Sequence, residues 1–141
     1  MVQYWDASAL VSLCIDEDDT RTLRRLVNAG LVTWSVSAVE IASAIERRRR
    51  EGSLTPGEHA AARAALSDLA AAWTEISALA AVRDRAMRLV ATHALRAADA
   101  MQLGAALVAV GDRPGGHAFV CADQRLRDAG LREGFHVLPE G

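Results

Sequence analysis

Short apolar segments alternate along the chain with longer segments in which apolar residues recur every three or four positions. The short segments predict buried strands, and the periodic segments predict helices that pack through one face. The predicted strands are residues 2–5, 31–34, 73–77, 118–122 and 135–138. The predicted helices are residues 8–14, 20–29, 37–50, 57–71, 79–93, 98–110 and 123–129.

Glycine and proline support several of the predicted helix boundaries. Gly30 is expected to end the helix 20–29, and Gly52 is expected to end the helix 37–50. Pro56 suits the first turn of the helix that follows, because its missing N–H has no partner there in any case.

The alternation of strands and helices predicts an α/β fold. Helical connections of this length favour parallel pairing of the strands that they join. We therefore expect a central, mainly parallel sheet of about four to five strands with helices on both faces. A length of 141 residues suits a single domain that spans residues 1–141.

Four carboxylates lie where apolar segments begin or end. They are Asp6, Glu40, Asp99 and Asp123, in the segments YWDASAL, VSAVEIA, LRAADAM and FVCAD. An ionised carboxylate in such a place is costly unless another group pairs with it. The carboxyl ends of parallel strands share one edge of a sheet with the starts of the helices that follow them, so we expect these four acids to converge. For Asp6 and Asp123, a helix cap is the simpler alternative.

The charge composition makes this convergence informative. The chain has no lysine, so all 16 basic residues are arginines. Two like charges about 4 Å apart repel by roughly 4 kcal/mol at an effective dielectric constant of 20. Either some of the four carboxyl groups are protonated, or cations lie between them. Ligand sets made of oxygen alone favour magnesium or manganese over zinc, and a two-metal acidic site suits the attack of water on a phosphodiester.

Two other classes of protein place acids at the ends of parallel strands. Response-regulator receivers and phosphatases of the haloacid dehalogenase type both use a lysine near an aspartate that carries the phosphoryl group. The absence of lysine argues against both classes, and Ser8 stands where a D-x-D phosphatase motif would need its second aspartate.

The four segments together resemble the motifs of the PIN-domain ribonucleases, and most closely those of the VapC-type toxins of bacterial toxin–antitoxin pairs. They occur in the family's order across nearly the whole chain, as YWDASALVSL, SVSAVEIASAIERRRREG, LRAADAMQLGAAL and FVCADQRL. The resemblance implies a PIN-like domain that hydrolyses RNA phosphodiester bonds with one or two Mg²⁺ or Mn²⁺ ions. It assigns the catalytic and metal-binding roles to Asp6, Glu40, Asp99 and Asp123.

The chain departs from the family pattern at one position. The family often has threonine or serine two residues before its fourth acid, and this chain has Cys121. This departure concerns a hydrogen bond to the site and the role of Asp123, and it leaves Asp6, Glu40 and Asp99 as the leading candidates. The alternative function is a PIN domain that binds RNA or protein with little or no cleavage.

The role of Ser8 and the partners follow from the same resemblance, whereas the roles of the arginines and histidines follow from their positions in the sequence. Ser8 would be an accessory polar group near the metal or the scissile phosphate. Arg96 could contact a substrate phosphate or pair with an active-site acid, and Arg47–Arg50 could contact RNA or simply stabilise a helix C-terminus. The implied partners are a cognate antitoxin that covers the acidic site, an RNA substrate and a second copy in a homodimer. His93 and His136 are expected to be structural or exposed.

The sequence gives no indication of a membrane segment. No stretch approaches the roughly 20 apolar residues that a spanning helix needs, and the N-terminus lacks the basic start and apolar core of a secretory signal. We therefore expect a cytoplasmic location.

Overall fold

Five short segments pair into one parallel sheet in the computed structural model, which describes residues 1–28 and 30–140. The strands are β1 Gln3–Trp5, β2 Leu31–Trp34, β3 Thr74–Ile76, β4 Ala118–Val120 and β5 His136–Leu138. Their order across the sheet is β3-β2-β1-β4-β5, and Gln3 pairs with Leu31 on one side and with Ala118 on the other. This arrangement confirms the expected α/β fold with a parallel sheet.

Within the described residues, seven helices connect the strands. They are α1 Ala7–Cys14, α2 Thr20–Leu26, α3 Ser37–Arg50, α4 Pro56–Ala72, α5 Leu79–Thr92, α6 Ala97–Ala109 and α7 Gln124–Glu133. Helices α1 to α4 pack on one face of the sheet around a core that contains Trp5 and Ile41. Helices α5 to α7 pack on the other face around a core that contains Tyr4 and Phe119. Consecutive residues of β1 therefore point into opposite layers, as strand geometry requires.

The prediction was wrong about where two helices end. Helix α2 stops at Leu26 rather than at Gly30, because Val27 is extended (φ −60°, ψ 131°) and the Gln3 side chain donates to the Leu26 carbonyl at 2.8 Å. Ala29, which was placed in this helix, lies outside the described residues.

Helix α7 continues to Glu133 rather than ending at Ala129. Gly134, with φ of 109°, supplies the left-handed residue that ends it. Gly52 (φ 76°) follows the end of α3 as predicted.

Helix α6 lies very close to α5. A Cβ atom at Gly104 would come within 2.8 Å of the Val82 carbonyl oxygen and 3.3 Å of the Ala86 nitrogen. Only glycine permits this approach of two backbones. The contact sets the position of α6, which carries Asp99 in its first turn. Among residues 1–28 and 30–140, no helix is both long enough and apolar enough to span a bilayer.

The strand order reverses between β1 and β4. The chain moves from β1 outward through β2 and β3, then returns to the other side of β1 to form β4 and β5. In open parallel sheets, ligands bind outside the carboxyl ends of the strands at such a reversal. Asp6 and Asp123 both follow strands at this point.

Candidate active site

A cleft of about 970 Å³ lies at the carboxyl ends of β1 and β4, and all four predicted acids line it. Asp6 follows β1 directly, and Asp123 caps α7 after β4. Glu40 and Asp99 occupy the first turns of α3 and α6. The structure thus brings together four carboxylates that are far apart in the sequence.

Asp6 is the most buried of the four, with 3% of its surface exposed. Burial raises the pKa of this carboxyl to about 7, although hydrogen bonds from Ser8 and the Ala9 amide oppose the shift. The Ala9 amide donates to Asp6 Oδ1 at 3.3 Å, so Asp6 also caps α1. Asp6 therefore both caps α1 and lines the cleft.

Ser8 lines the cleft beside Asp6, to which its hydroxyl is hydrogen-bonded. Its hydroxyl is 2.8 and 2.9 Å from the two carboxylate oxygens of Asp6, and it accepts a hydrogen bond from the Ala122 amide at 3.0 Å. Since a hydroxyl has one proton, that proton is committed to Asp6. Ser8 thereby fixes the orientation of Asp6 and joins the start of α1 to the segment that follows β4.

Burial and a neighbouring acid raise the pKa of both Glu40 and Asp99. Burial raises the pKa of Glu40, and the charge of Asp99 adds to that effect, while a hydrogen bond from Gln102 opposes it. Burial also raises the pKa of Asp99, and the nearby charge of Asp123 raises it further. The two carboxyl groups are therefore harder to ionise than carboxyl groups in water.

Asp123 accepts a hydrogen bond from the Arg125 amide at 3.2 Å, so the cap alternative holds for it too. The Cys121 thiol lies 3.5 Å from the Asp123 carbonyl oxygen and 3.8 Å from Ser8 Oγ. The cysteine therefore makes polar contacts at the position where the family often has serine or threonine. Burial raises the pKa of the Cys121 thiol far above its usual value, so it remains protonated.

Arginines line the same cleft as the acids. Arg96 and Arg125 lie near Asp99, and their charges lower its pKa in opposition to burial. Within the described ranges, neither guanidinium is within 4.0 Å of a carboxylate. Both groups therefore retain donors for an anionic ligand.

The run of arginines at the end of α3 divides between two environments. Arg47 and Arg48 line the cleft, and Arg48 pairs with Glu17 at 2.8 Å. Arg49 instead pairs with Glu46 at 2.9 Å, outside the cleft. Only the first half of the run is thus placed to meet a ligand there.

Sequence reasoning missed two residues of this site. Arg125 follows Asp123 by two positions, and nothing in the local pattern separates it from an ordinary surface arginine. Gln102 donates to Glu40 Oε1 at 3.1 Å from the core-facing side of α6. A glutamine among buried apolar residues was the available signal, because a buried amide needs partners.

The donor set has the chemistry of a site for a hard divalent cation. All four acids offer oxygen ligands, and a nearby cation would favour the charged forms of Asp6, Glu40 and Asp99, which burial disfavours. In the part of the chain that the structure describes, no three His, Cys, Asp or Glu side chains are gathered into a ready-made metal-binding group. Carboxylates that repel each other are expected to close together only around an ion.

Comparison with known proteins points to one family. The sequence matches the PIN domain family model over residues 4–133, a span that contains all four acids. It is 33% identical over 138 residues to ribonuclease VapC45 of Mycobacterium tuberculosis (strain CDC 1551 / Oshkosh), which covers 96% of this chain and 94% of that protein. Ribonuclease VapC49 of M. tuberculosis (strain ATCC 25618 / H37Rv) gives the same identity and coverage.

Proposed function

Because this chain belongs to the PIN-domain family, we propose that it is a metal-dependent endoribonuclease of the VapC type, the toxin of a toxin–antitoxin pair. The convergence of four carboxylates in one cleft that arginines also line carries the proposal. Acids alone would repel RNA, and arginines alone would bind it without a means of cleavage. Residues 1–141 would form a single PIN-like domain.

The four acids, Asp6, Glu40, Asp99 and Asp123, would hold one or two Mg²⁺ or Mn²⁺ ions. When bound, such ions lower the pKa of water and stabilise negative charge on a transferring phosphate. Asp6 enters the site in a fixed orientation, because the Ser8 hydroxyl and the Ala9 amide both donate to it.

The arginines of the cleft would bind the RNA backbone. Arg96 and Arg125 lie beside Asp99, and Arg47 extends the basic surface along α3. A guanidinium can donate two parallel hydrogen bonds to one phosphate, which fixes both position and direction. We therefore assign Arg96 to substrate binding and add Arg125 to the same role. Ser8 would act on the substrate only indirectly, through Asp6.

The expected partners follow from this function. An antitoxin would cover the acidic cleft, RNA would be the substrate, and two copies would form a homodimer. A ribonuclease of this kind would act in the cytoplasm, where its substrate is found. The oligomeric state can be checked by light scattering from the purified protein.

A cleavage assay separates the nuclease from a PIN domain that only binds RNA. We expect the wild-type protein to cleave structured RNA with Mg²⁺ or Mn²⁺, and to lose cleavage when the ion is chelated. Asp6→Asn and Asp99→Asn should remove cleavage while the protein remains folded. Equal activity in the wild type and both variants would exclude these acids from catalysis. RNA binding without any cleavage would instead support the binding-module alternative.

The toxin role has a separate test. Expression of the protein alone should arrest growth, and co-expression of its antitoxin should relieve the arrest. Growth that continues normally while the folded protein accumulates would argue against the toxin role but not against the nuclease.

A further inference from the structure

A chain of buried polar groups runs from β1 through α6 to Glu40. Gln102 has 1% of its surface exposed, although it lies on an otherwise apolar stretch of α6. Its Oε1 accepts a hydrogen bond from the Tyr4 hydroxyl at 2.6 Å. Its Nε2 donates to Glu40 Oε1 at 3.1 Å and to Ser37 Oγ at 2.9 Å. The amide therefore uses its oxygen on one side and both N–H groups on the other.

The direction of each hydrogen bond in this polar network follows from the groups at its ends, which can only accept. Thr33 Oγ1 lies 2.7 Å from the Trp5 carbonyl oxygen, which can only accept, so Thr33 donates there. Its contact with Ser37 Oγ at 2.8 Å must then use the proton of Ser37. Ser37 Oγ is left as an acceptor for Gln102. The carboxylate of Glu40 is also an acceptor, so the Gln102 nitrogen faces both.

A flipped amide would lose the hydrogen bonds to both Glu40 and Ser37. The Gln102 oxygen would face the oxygens of Glu40 and Ser37, and its nitrogen would face the Tyr4 hydroxyl. Buried polar groups without partners are costly, so the observed orientation is strongly preferred.

We propose that Gln102 is a positioning residue for Glu40. It holds Oε1 of the carboxylate toward the core, while Oε2, which has no hydrogen-bond partner among the described residues, remains available to the cleft. Because Glu40 is proposed as a metal ligand, this role rests on the proposed function. Groups that orient a metal ligand from behind typically change metal affinity or activity 10- to 100-fold when they are lost.

A general contribution to stability would not explain this arrangement. The other hydrogen bonds of Gln102 join it to the buried side chains of Tyr4 and Ser37. A leucine at position 102 would fill similar space without needing polar partners. The only group of the network that reaches the cleft is Glu40.

The test is Mn²⁺ binding by the purified full-length protein, followed by the electron paramagnetic resonance signal of free Mn²⁺. Gln102→Leu should bind Mn²⁺ about 10- to 100-fold more weakly than the wild type. Gln3→Leu is the matched control, since Gln3 is also a buried glutamine with two side-chain hydrogen bonds. Gln3 lies at the start of β1, whereas the cleft lies beyond the end of that strand. Both variants should lower the melting temperature, and only Gln102→Leu should weaken Mn²⁺ binding.

A milder variant keeps the test decisive if Gln102→Leu does not fold. Tyr4→Phe retains the ring that stacks on Phe119, with centroids 5.8 Å apart, and removes only the donor that fixes the amide. It should weaken Mn²⁺ binding several-fold.

The outcomes distinguish this role from the proposed function. If the wild type binds Mn²⁺ but leaves RNA intact, the nuclease proposal fails. The Mn²⁺ affinities of the variants would still test whether Gln102 positions Glu40. Equal affinities in the wild type, Tyr4→Phe and any folded Gln102 variant would overturn the positioning role. An equal loss in Gln3→Leu, or no Mn²⁺ binding by the wild type, would overturn it as well.

Discussion

Two largely buried carboxylates of this protein, Asp6 and Glu133, have opposite surroundings. Glu133 lies at the end of α7 and accepts two hydrogen bonds from Arg88, at 2.6 and 3.3 Å, with His93 Nε2 at 2.7 Å. The hydrogen bonds from Arg88 lower the pKa of Glu133 in spite of burial. Asp6 has only neutral donors, and burial raises its pKa to about 7.

The difference shows what burial alone cannot tell. The Arg88–His93–Glu133 cluster neutralises its acid within the protein and ties α5 to α7, which is a structural role. Among the residues that the structure describes, Asp6, Glu40, Asp99 and Asp123 have no basic partner within 4.0 Å, so they depend on a counter-charge that the chain does not provide. A buried carboxylate thus indicates a binding site when no neighbouring group balances its negative charge.

The largest expected effect separates the two acids by activity. Asp6→Asn should reduce RNA cleavage by roughly 100-fold or more, since even the loss of a supporting group can cost 10- to 100-fold. Glu133→Gln should cleave at nearly the wild-type rate wherever it is folded. Steady-state cleavage of a labelled RNA, measured well below both melting temperatures, compares them. Similar losses in both variants would remove the distinction between the two acids.

The second prediction concerns stabilisation by the ion. At a Mn²⁺ concentration 100 times the dissociation constant, bound metal stabilises a folded protein by about 2.7 kcal/mol. The wild type and Glu133→Gln should both gain about this amount, and Asp6→Asn should gain much less. Thermal unfolding across a Mn²⁺ titration measures the gain. An undiminished gain in Asp6→Asn would place the ion elsewhere.

In the absence of metal, the two substitutions should have opposite effects on stability. Asp6 has a folded pKa above its unfolded value, so the folded state binds the extra proton and stability falls as pH rises between about 4 and 7. Asp6→Asn removes this penalty of roughly 4 kcal/mol but weakens the hydrogen bonds from Ser8 and the Ala9 amide by roughly 1 kcal/mol each. The free energy of unfolding at pH 8 should therefore rise by about 2 kcal/mol.

Glu133 behaves in the reverse way, because its folded pKa is lowered. Its contribution is present above its unfolded pKa and is lost as pH falls through the folded value. Glu133→Gln should therefore lower the free energy of unfolding at pH 8 by about 1–2 kcal/mol. Urea denaturation with chelator at pH 5 and pH 8 tests both signs, and a shared sign would contradict the comparison.

The smallest effect concerns the arginines of the cleft. Arg96→Ala and Arg125→Ala should each weaken binding of single-stranded RNA and reduce the salt dependence of log K by about 0.7, as expected for one lost phosphate contact. Arg83→Ala is the control, because Arg83 is exposed on α5 and does not line the cleft. Fluorescence anisotropy across a salt series gives the slopes. Equal slopes for all three variants would exclude direct phosphate contacts by Arg96 and Arg125.

The sequence predicted the order of elements and the parallel sheet because apolar periodicity is a local property. It also identified the four acids, since a carboxylate at the edge of an apolar segment is conspicuous by itself. The end of α2 was not predictable in this way, because the side chain of Gln3, which lies in β1, donates a hydrogen bond to the Leu26 carbonyl. Gln102 was missed for the same reason, as its partner Glu40 lies 62 positions away.

The close approach of α6 to α5 at Gly104 has a consequence for how this protein could lose its activity. A single added methyl group there would collide with backbone atoms of α5, and α6 would have to shift with both Asp99 and Gln102. Spontaneous mutants that survive overproduction of the protein should therefore arise at this uncharged, buried position as well as at the acids. A screen restricted to polar residues would overlook them.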